Sequence, residues 1–346
     1  MFDVAVLGCG PAGCAAALTL RSCGVATTII ASSRTPEKPT ETAVPRLKQL
    51  LLSLGATEAL AACEPCYGIE SSWGAPDAVF RPSILDPSGH AWFVHRKQFD
   101  ATLNKLVDAA GVPKLEAEAT SLSFAEDRVI VGTTFGSVEA NNVLIATGSP
   151  AWAGRATGQT PMRVDSLLCY WTRLAIPFAS RLLHVECTQT GWWYVCIGEA
   201  ATTVACFLTD AECSRQLAPS NAGNWSALFQ DTRICQQYAL DAPARQIRCV
   251  PVMVEGLAYR HGPRWVAAGD AAIKLDPIGS SGTATALESG VLAARVLLAS
   301  PHEIDAATET YRHWGNGLLS YFLKWRTSFY AAEAEKNPVG FWARRA

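Results

Sequence analysis

The sequence lacks a strong excess of charge of either sign and any long apolar run. Its 346 residues include 29 basic and 31 acidic side chains, a formal net charge of −2. Outside the terminal Arg344–Arg345 we find no Lys/Arg cluster, so we expect no nucleic-acid partner. The longest apolar candidate, GVLAARVLLA from Gly290, is interrupted by Arg295 and is shorter than a membrane helix requires. We therefore predict no membrane partner either.

We also expect no export signal, because a glycine turn begins at Gly8, before a basic region and a cleavage site could fit. We accordingly expect a cytoplasmic protein. Its twelve cysteines are scattered, which favours reduced and buried thiols over a disulfide framework. The pair in CEPC, Cys63 and Cys66, is a weak redox candidate because no thioredoxin-like strand precedes it. The six histidines are dispersed, no His-x-x-x-His or Gly-x-Ser-x-Gly pattern occurs, and we predict no metal.

What the chain does have is a strand–turn–helix–strand unit at its N-terminus. FDVAVL predicts a buried strand, PAGCAAALTLRSCG a helix, and VATTII a second strand. Between the first strand and the helix, Gly8 allows a tight turn, Gly10 lets the backbone approach a pyrophosphate, and Gly13 lets the helix pack closely. The helix N-terminus then offers free N–H groups to the phosphates. This order predicts a dinucleotide site.

The unit departs from the dinucleotide pattern where the second strand ends. An acidic side chain usually binds the ribose there, but this chain has Ala31. Ser32 can still hydrogen-bond a ribose, and Arg34 can lie against the adenine or form an ion pair with a phosphate. We expect the nucleotide to bind, but more weakly.

A second glycine-containing stretch runs from Arg264 to Gly290 and reads RWVAAGDAAIKLDPIGSSGTATALESG. It predicts a strand ending near an acidic residue, a loop of small residues, and a helix. The small side chains of Gly279–Gly282 would let a large flat ring lie against the backbone. The helix N-terminus beyond them would face negative charge developing on that ring.

Taken in order, these stretches resemble the FAD-dependent monooxygenase family that includes aromatic hydroxylases and flavin-dependent tryptophan halogenases. The matching segments are GCGPAG, WFVHRKQFDATLNKLVDAAG, NNVLIATGS, AAGDAA and DPIGSSGT. The resemblance implies FAD as cofactor, a ribityl contact from Asp270, and flavin contacts from Arg96, Thr147, Pro277, Gly279 and Gly282. Three further segments, SSWGAPDAVFRPSILDPSGHAWFVHR, TGWWYVCIGEAATTVACFLTD and FWARR, resemble the halogenase-like branch. That branch also contains flavoproteins that mature tryptophylquinone enzymes by oxygenating a partner's tryptophan.

We expect an α/β protein with a Rossmann-like FAD-binding fold, an inserted antiparallel β-sheet substrate domain and a C-terminal helix. The predicted FAD-binding domain is discontinuous, 1–164 and 246–300; the substrate domain is 165–245 and the C-terminal helical segment 301–346. Within the substrate domain we predict three short strands and one helix over 224–240, and the C-terminal helix is expected to break near Gly315–Gly317. Trp192, Trp193 and Tyr194 are candidates for an aromatic substrate pocket, with core packing an equal alternative.

The resemblance implies hydroxylation of an aromatic, indole-type substrate through a flavin C4a-hydroperoxide. The substrate is an aromatic small molecule or, as we favour, a tryptophan of a partner protein. Such chemistry requires orientation and water exclusion more than a catalytic side chain. His95 is a weak candidate for proton transfer, and a structural role suits it better. Because no second Gly-x-Gly-x-x-Gly occurs, the electron donor is either transiently bound NAD(P)H or a separate flavin reductase.

Three alternatives stay open. Halogenation is disfavoured because no lysine lies between Lys48 and Arg96 and because the loop Pro277–Ser280 lacks a glutamate, both of which halogenases in this branch use. A flavin reductase or dehydrogenase acting on a lipid-like substrate is the second. A non-catalytic, flavin-binding assembly factor is the third.

Overall fold

A computed structural model describes residues 1–33, 37–74, 77–240, 244 and 246–345. Its strands from the first half of the chain are β1 Phe2–Leu7, β2 Thr27–Ala31, β3 Glu41–Ala43, β4 Cys63–Cys66, β5 Gly68–Ser72, β6 Val79–Pro82, β7 Ala91–Val94, β8 Lys114–Glu116, β9 Ala119–Phe124, β10 Val129–Thr133 and β11 Gly136–Ile145. Those from the second half are β12 Met162–Leu174, β13 Leu183–Thr188, β14 Gly191–Ile197, β15 Thr203–Thr209, β16 Arg248–Gly256, β17 His261–Gly262, β18 Trp265–Ala267 and β19 Ile273–Lys274.

The helices are α1 Pro11–Ser22, α2 Leu47–Ser53, α3 Arg96–Ala109, α4 Pro150–Thr157, α5 Ala211–Leu217, α6 Ala222–Gln230, α7 Arg233–Gln237, α8 Gly282–Leu298 and α9 Ile304–Ala334. Short 3-10 turns occur at Gly269–Ala271 and Pro277–Gly279, among others. Within the described ranges, no helix combines the length and the apolar character needed to cross a membrane.

The first sheet has the strand order β17-β18-β11-β1-β2-β8, and β10 and β9 continue from β11 as an antiparallel extension. Strands β18, β11, β1, β2 and β8 are parallel to one another, whereas β17 pairs antiparallel with β18. Val4–Leu7 of β1 are fully buried because α1 and α8 cover one face of the sheet and the β9–β10 extension borders the other. The parallel strands therefore end at one common edge, where α1 begins.

The second sheet has the order β19-β16-β12-β15-β14-β13-β5-β6 and is antiparallel except for the β13–β5 pair. Every residue of β14 and β15 is buried, which accounts for their unbroken apolar sequences. The sheet takes four of its strands, β5, β6, β16 and β19, from outside residues 165–245. The division of the chain into the domains given above stays a prediction.

Two helix predictions are wrong. Residues 224–240 do not form one helix, because Thr232 begins a new one by accepting a hydrogen bond from the Cys235 N–H. The long C-terminal helix α9 is not broken at Gly315. The guanidinium of Arg260 lies 3.1 Å from the position that a Cβ at Gly315 would take. This glycine therefore makes room for Arg260 and does not end the helix.

Candidate functional site

The N-terminal glycine turn has the geometry of a backbone cradle. Gly8 has φ +106°, and an added Cβ would overlap the carbonyl oxygen of Ala146. A Cβ at Gly13 would overlap the Gly8 carbonyl in the same way. Around Gly10, by contrast, no atom of the described residues lies within 4 Å of such a Cβ, so space is open above its backbone. The three glycines thus fit the roles of turn, close packing and ligand approach.

The two glycine-containing stretches lie side by side. Gly269, with φ +60°, sits so close to α1 that its Cβ would stand 2.8 Å from that of Ala12, and its N–H donates to Ser289 Oγ at 2.8 Å. This brings Asp270 to the N-terminus of α1. Thr147 follows β11 at the same edge, and its Oγ1 is buried without a hydrogen-bond partner among the described residues. An orphaned hydroxyl beside an open glycine backbone fits a site built for a polar ligand.

The loop before α8 is held in shape by a buried carboxylate. Asp276 accepts a hydrogen bond from the N–H of Ile278 at 3.0 Å, one from Arg326 Nε at 2.9 Å and one from the Tyr330 hydroxyl at 2.8 Å. Burial and the neighbouring Asp276 both raise the pKa of the Tyr330 phenol far above its usual range, so the phenol stays protonated and donates. Pro277 is exposed on this loop, whereas Gly279 is partly buried, with Phe322 3.4 Å from the place of a Cβ. Among the described residues no atom lies within 4 Å of a Cβ at Gly282, at the start of α8.

An ion cluster lies between the two stretches. Arg96 is buried; its Nη1 donates to both oxygens of Glu41, at 2.8 and 2.7 Å, and its Nη2 donates to Asp100 at 3.0 Å. Glu41 also accepts from Thr283 Oγ1, at the start of α8. Burial raises the pKa of Glu41, but Arg96, Lys38 and Thr283 together outweigh burial and the net pKa is lowered. Burial raises the pKa of Asp270. The predicted cofactor contact Arg96 is therefore held by two carboxylates, one of them linked to the start of α8. We call the loop before α8, residues 276–281, the flavin loop because the resemblance predicts that it contacts the flavin.

Sequence reasoning did not identify Glu41 as part of the site. A single acidic residue in the polar segment KPTETAVP has no spacing pattern of its own, and its link to Arg96 exists only in three dimensions. Asn104 was missed for the same reason: its Nδ2 donates to the Cys9 carbonyl at 3.1 Å and fixes the glycine turn from α3.

His95 is buried and bonded at both ring nitrogens. Nδ1 lies 3.2 Å from Thr40 Oγ1, and Nε2 lies 3.0 Å from Glu64 Oε1. These contacts fit the structural role better than proton transfer to a substrate.

The aromatic residues of β14 separate onto two faces. Trp192 and Tyr194 share the face towards the flavin loop, where the Trp192 indole donates to the Tyr330 hydroxyl at 3.1 Å and the Tyr194 hydroxyl donates to the Thr40 carbonyl at 2.8 Å. Both side chains are buried. Trp193 faces the other way and packs against α6, through Trp225 at 5.1 Å between ring centroids, so it lies outside any pocket on the flavin side.

The residues predicted to contact the adenosine follow the end of β2. Ala31 is partly buried at the last position of that strand, and Ser32 follows it. Arg34, the other predicted contact, lies outside the described residues.

The comparisons with known proteins agree with this geometry. Residues 2–165 match the model of the family described as pyridine nucleotide-disulphide oxidoreductase. Over 99% of its length the chain is 23% identical to a putative FAD-dependent oxidoreductase, LodB, of Marinomonas mediterranea, covering 96% of that protein. Among solved structures, it resembles the peptidyl tryptophan dihydroxylase QhpG, which is essential for tryptophylquinone cofactor biogenesis, with TM-score 0.80 and 23% identity, over 99% of this chain and 78% of that one. The flavin-dependent halogenase CmlS superposes with TM-score 0.88 and 22% identity, over 99% of this chain and 67% of that one.

The fold and these comparisons therefore define a flavin-dependent oxidoreductase. More narrowly, the chain has the fold shared by flavin-dependent halogenases and the tryptophan dihydroxylase, and FAD is its cofactor. The predictions of fold class, cofactor and enzyme class are confirmed at this level.

Proposed function

We propose that the protein is an FAD-dependent monooxygenase that hydroxylates an indole-type ring, with a tryptophan of a partner protein as its substrate. The proposal is supported by similarity across 99% of the chain to a peptidyl tryptophan dihydroxylase. Bound FAD, once reduced, supplies the electrons that activate dioxygen. The protein must then orient the ring, exclude water and stabilise developing charge.

One observation carries the proposal: the aromatic face of β14 is tied to both ends of the flavin loop. At one end, Trp192 reaches Asp276 through the hydroxyl of Tyr330. At the other, Tyr194 bonds the carbonyl of Thr40, the residue before Glu41, which in turn accepts from Thr283 at the start of α8. Two buried aromatic side chains are thus linked through hydrogen bonds to the loop that would support the flavin ring. A buried aromatic wall beside a flavin is suited to a flat apolar substrate and to the exclusion of water.

The polar groups of Trp192 and Tyr194 form hydrogen bonds within the protein, so neither side chain supplies a reactive base. The Trp192 N–H and the Tyr194 O–H are both engaged, and burial raises the pKa of the Tyr194 phenol well above its usual range. We infer that these residues position the ring and that the redox chemistry resides in the cofactor. The reductant is transient NAD(P)H or a separate flavin reductase.

Single-turnover oxygen labelling tests the proposal. FAD-loaded protein is reduced anaerobically with dithionite, mixed with ¹⁸O₂, and offered N-acetyl-tryptophanamide or a library of dodecapeptides with a central tryptophan. We expect one ¹⁸O atom on the indole per reduced flavin, with the other oxygen atom leaving as water, and more labelled product from peptides than from the amide. If the flavin reoxidises with only hydrogen peroxide formed and no label in any probe, the proposal is wrong.

Halogenation is the second candidate. Two lysines that lie outside the segment between Lys48 and Arg96, Lys38 and Lys274, are near Asp270. The charges of Lys274 and Lys38 both act to lower the pKa of Asp270, although burial outweighs them and the net pKa is raised. The same turnover with added bromide separates the two reactions: a brominated indole that disappears in Lys38→Met or Lys274→Met would favour halogenation. Oxygenation without bromination, unchanged by bromide, favours the monooxygenase.

A further inference from the structure

We propose that Glu116, at the end of β8, supplies the carboxylate that binds the adenosine ribose of FAD, in place of the acidic side chain missing at Ala31. The proposal depends on FAD as cofactor and not on the reaction. It starts from the strand register. Strand β8 lies parallel to β2, and Glu116 is paired with Ala31, the position at which the dinucleotide pattern expects the acid.

Both residues project from the same face of the sheet. Residues paired in a parallel sheet share a face, and residues two apart on a strand do too. Lys114, two positions before Glu116, contacts α3: its Nζ lies 3.0 Å from the Asn104 carbonyl and 2.8 Å from Asp108 Oδ1. Ala31 packs against the core cluster beneath α1 and α3. Glu116 therefore projects from the face on which α1 presents its N-terminus.

The end of β8 is fixed next to β2. The N–H of Ala117, the residue after Glu116, donates to the Ala31 carbonyl at 3.1 Å, so the two strands stay paired to their last residues. Neighbouring strands lie about 4.8 Å apart. A glutamate side chain is long enough to bring its carboxylate across that distance to the space above Ala31.

Glu116 is also available for a ligand. It is exposed, and within the described residues no hydrogen bond or ion pair engages its carboxylate. The two hydroxyls of a ribose are donors that a carboxylate accepts well. The acid that the dinucleotide pattern expects at the end of β2 is thus supplied by the neighbouring strand β8, at nearly the same place in the fold.

Adenosine ligands with and without ribose hydroxyls test this assignment. We expect Glu116→Gln to weaken FAD binding about tenfold, as measured by quenching of flavin fluorescence, because a charge-assisted hydrogen bond is lost. FMN, which has no adenosine, should bind the variant and the wild type equally. In calorimetry, ADP should lose about tenfold in affinity, whereas 2′,3′-dideoxy-ADP should bind both proteins alike. Adding Ala31→Glu to Glu116→Gln should restore ADP binding.

The matched control is Glu139→Gln, an exposed glutamate on β11 paired with Arg128, far from the end of that strand. It should leave every affinity unchanged. The assignment is overturned if Glu116→Gln binds ADP as the wild type does. It is also overturned if ADP and its dideoxy analogue lose affinity equally, because the effect would then be one of general charge.

Discussion

Removing the charge of Asp276 should both destabilise the protein and loosen the flavin loop. The carboxylate is 2% exposed and accepts from Arg326, from the Tyr330 hydroxyl and from the N–H of Ile278. Removing one partner of a buried ion pair costs about 3–5 kcal/mol. Arg326 keeps its ion pair with a second carboxylate, that of Asp165, so its charge is not left unpaired. We therefore expect Asp276→Asn to lower the free energy of unfolding by less than this, about 2–3 kcal/mol.

The assay is urea unfolding followed by tryptophan fluorescence, together with an FAD titration of each variant. Asp127→Asn is the control, since it breaks an exposed pair with Arg128 and should hardly move the midpoint. We expect Asp276→Asn to bind FAD more weakly under conditions in which it is fully folded. The reasoning is refuted if the two variants unfold at the same urea concentration, or if Asp276→Asn is destabilised but binds FAD with unchanged affinity.

Three further predictions concern single residues. Gly8→Ala should abolish FAD binding in a fluorescence titration, because its backbone has φ +106° and a Cβ would overlap a carbonyl oxygen; retained affinity would contradict the turn geometry. Burial outweighs the Glu70 carboxylate and lowers the pKa of His184 to about 4. The unfolded chain, whose histidine titrates near its ordinary value of about 6.5, therefore takes up this proton first as the pH falls, and stability declines between these two values by about 3 kcal/mol. His184→Gln should lack this part of the decline in urea unfolding at pH 7.5, 5.5 and 4.5, and an unchanged pH profile would refute the assignment. Trp192→Phe should lower the free energy of unfolding by about 1 kcal/mol through loss of the indole hydrogen bond, whereas an equal or greater stability would show that this bond contributes nothing.

The features predicted best from the sequence are the helices, strands and turns that residues adjacent in the sequence determine. The run from Phe2 to Ala31 has its strand, turn, helix and strand close to the expected bounds, because the apolar period and the glycines specify each of them locally. The loop and helix that start near Pro277 were predicted for the same reason. Their approach to the first turn could be expected only through the resemblance, since no local pattern encodes the packing of Gly269 on Ala12.

Features formed by distant residues were not predictable. The substrate sheet includes β5 and β6 from early in the chain, and a parallel pairing such as that of β5 with β13 has no signal in either strand alone. Glu41 is far from Arg96 in sequence, and Glu116 is far from Ala31, and only folding brings each of these pairs together. Gly315 misled the prediction because a glycine that makes room for Arg260 and one that breaks a helix look alike in the sequence.

The central claim is that two glycine-lined surfaces, far apart in the chain, hold one flavin between them. A crystal structure of the protein with FAD tests it most directly. We predict one FAD per chain, with its pyrophosphate over Gly10 at the N-terminus of α1, its ribityl chain beside Asp270 and its ring against Pro277–Gly279. An FAD that touches only one of these surfaces, or that binds elsewhere on the protein, would contradict the account.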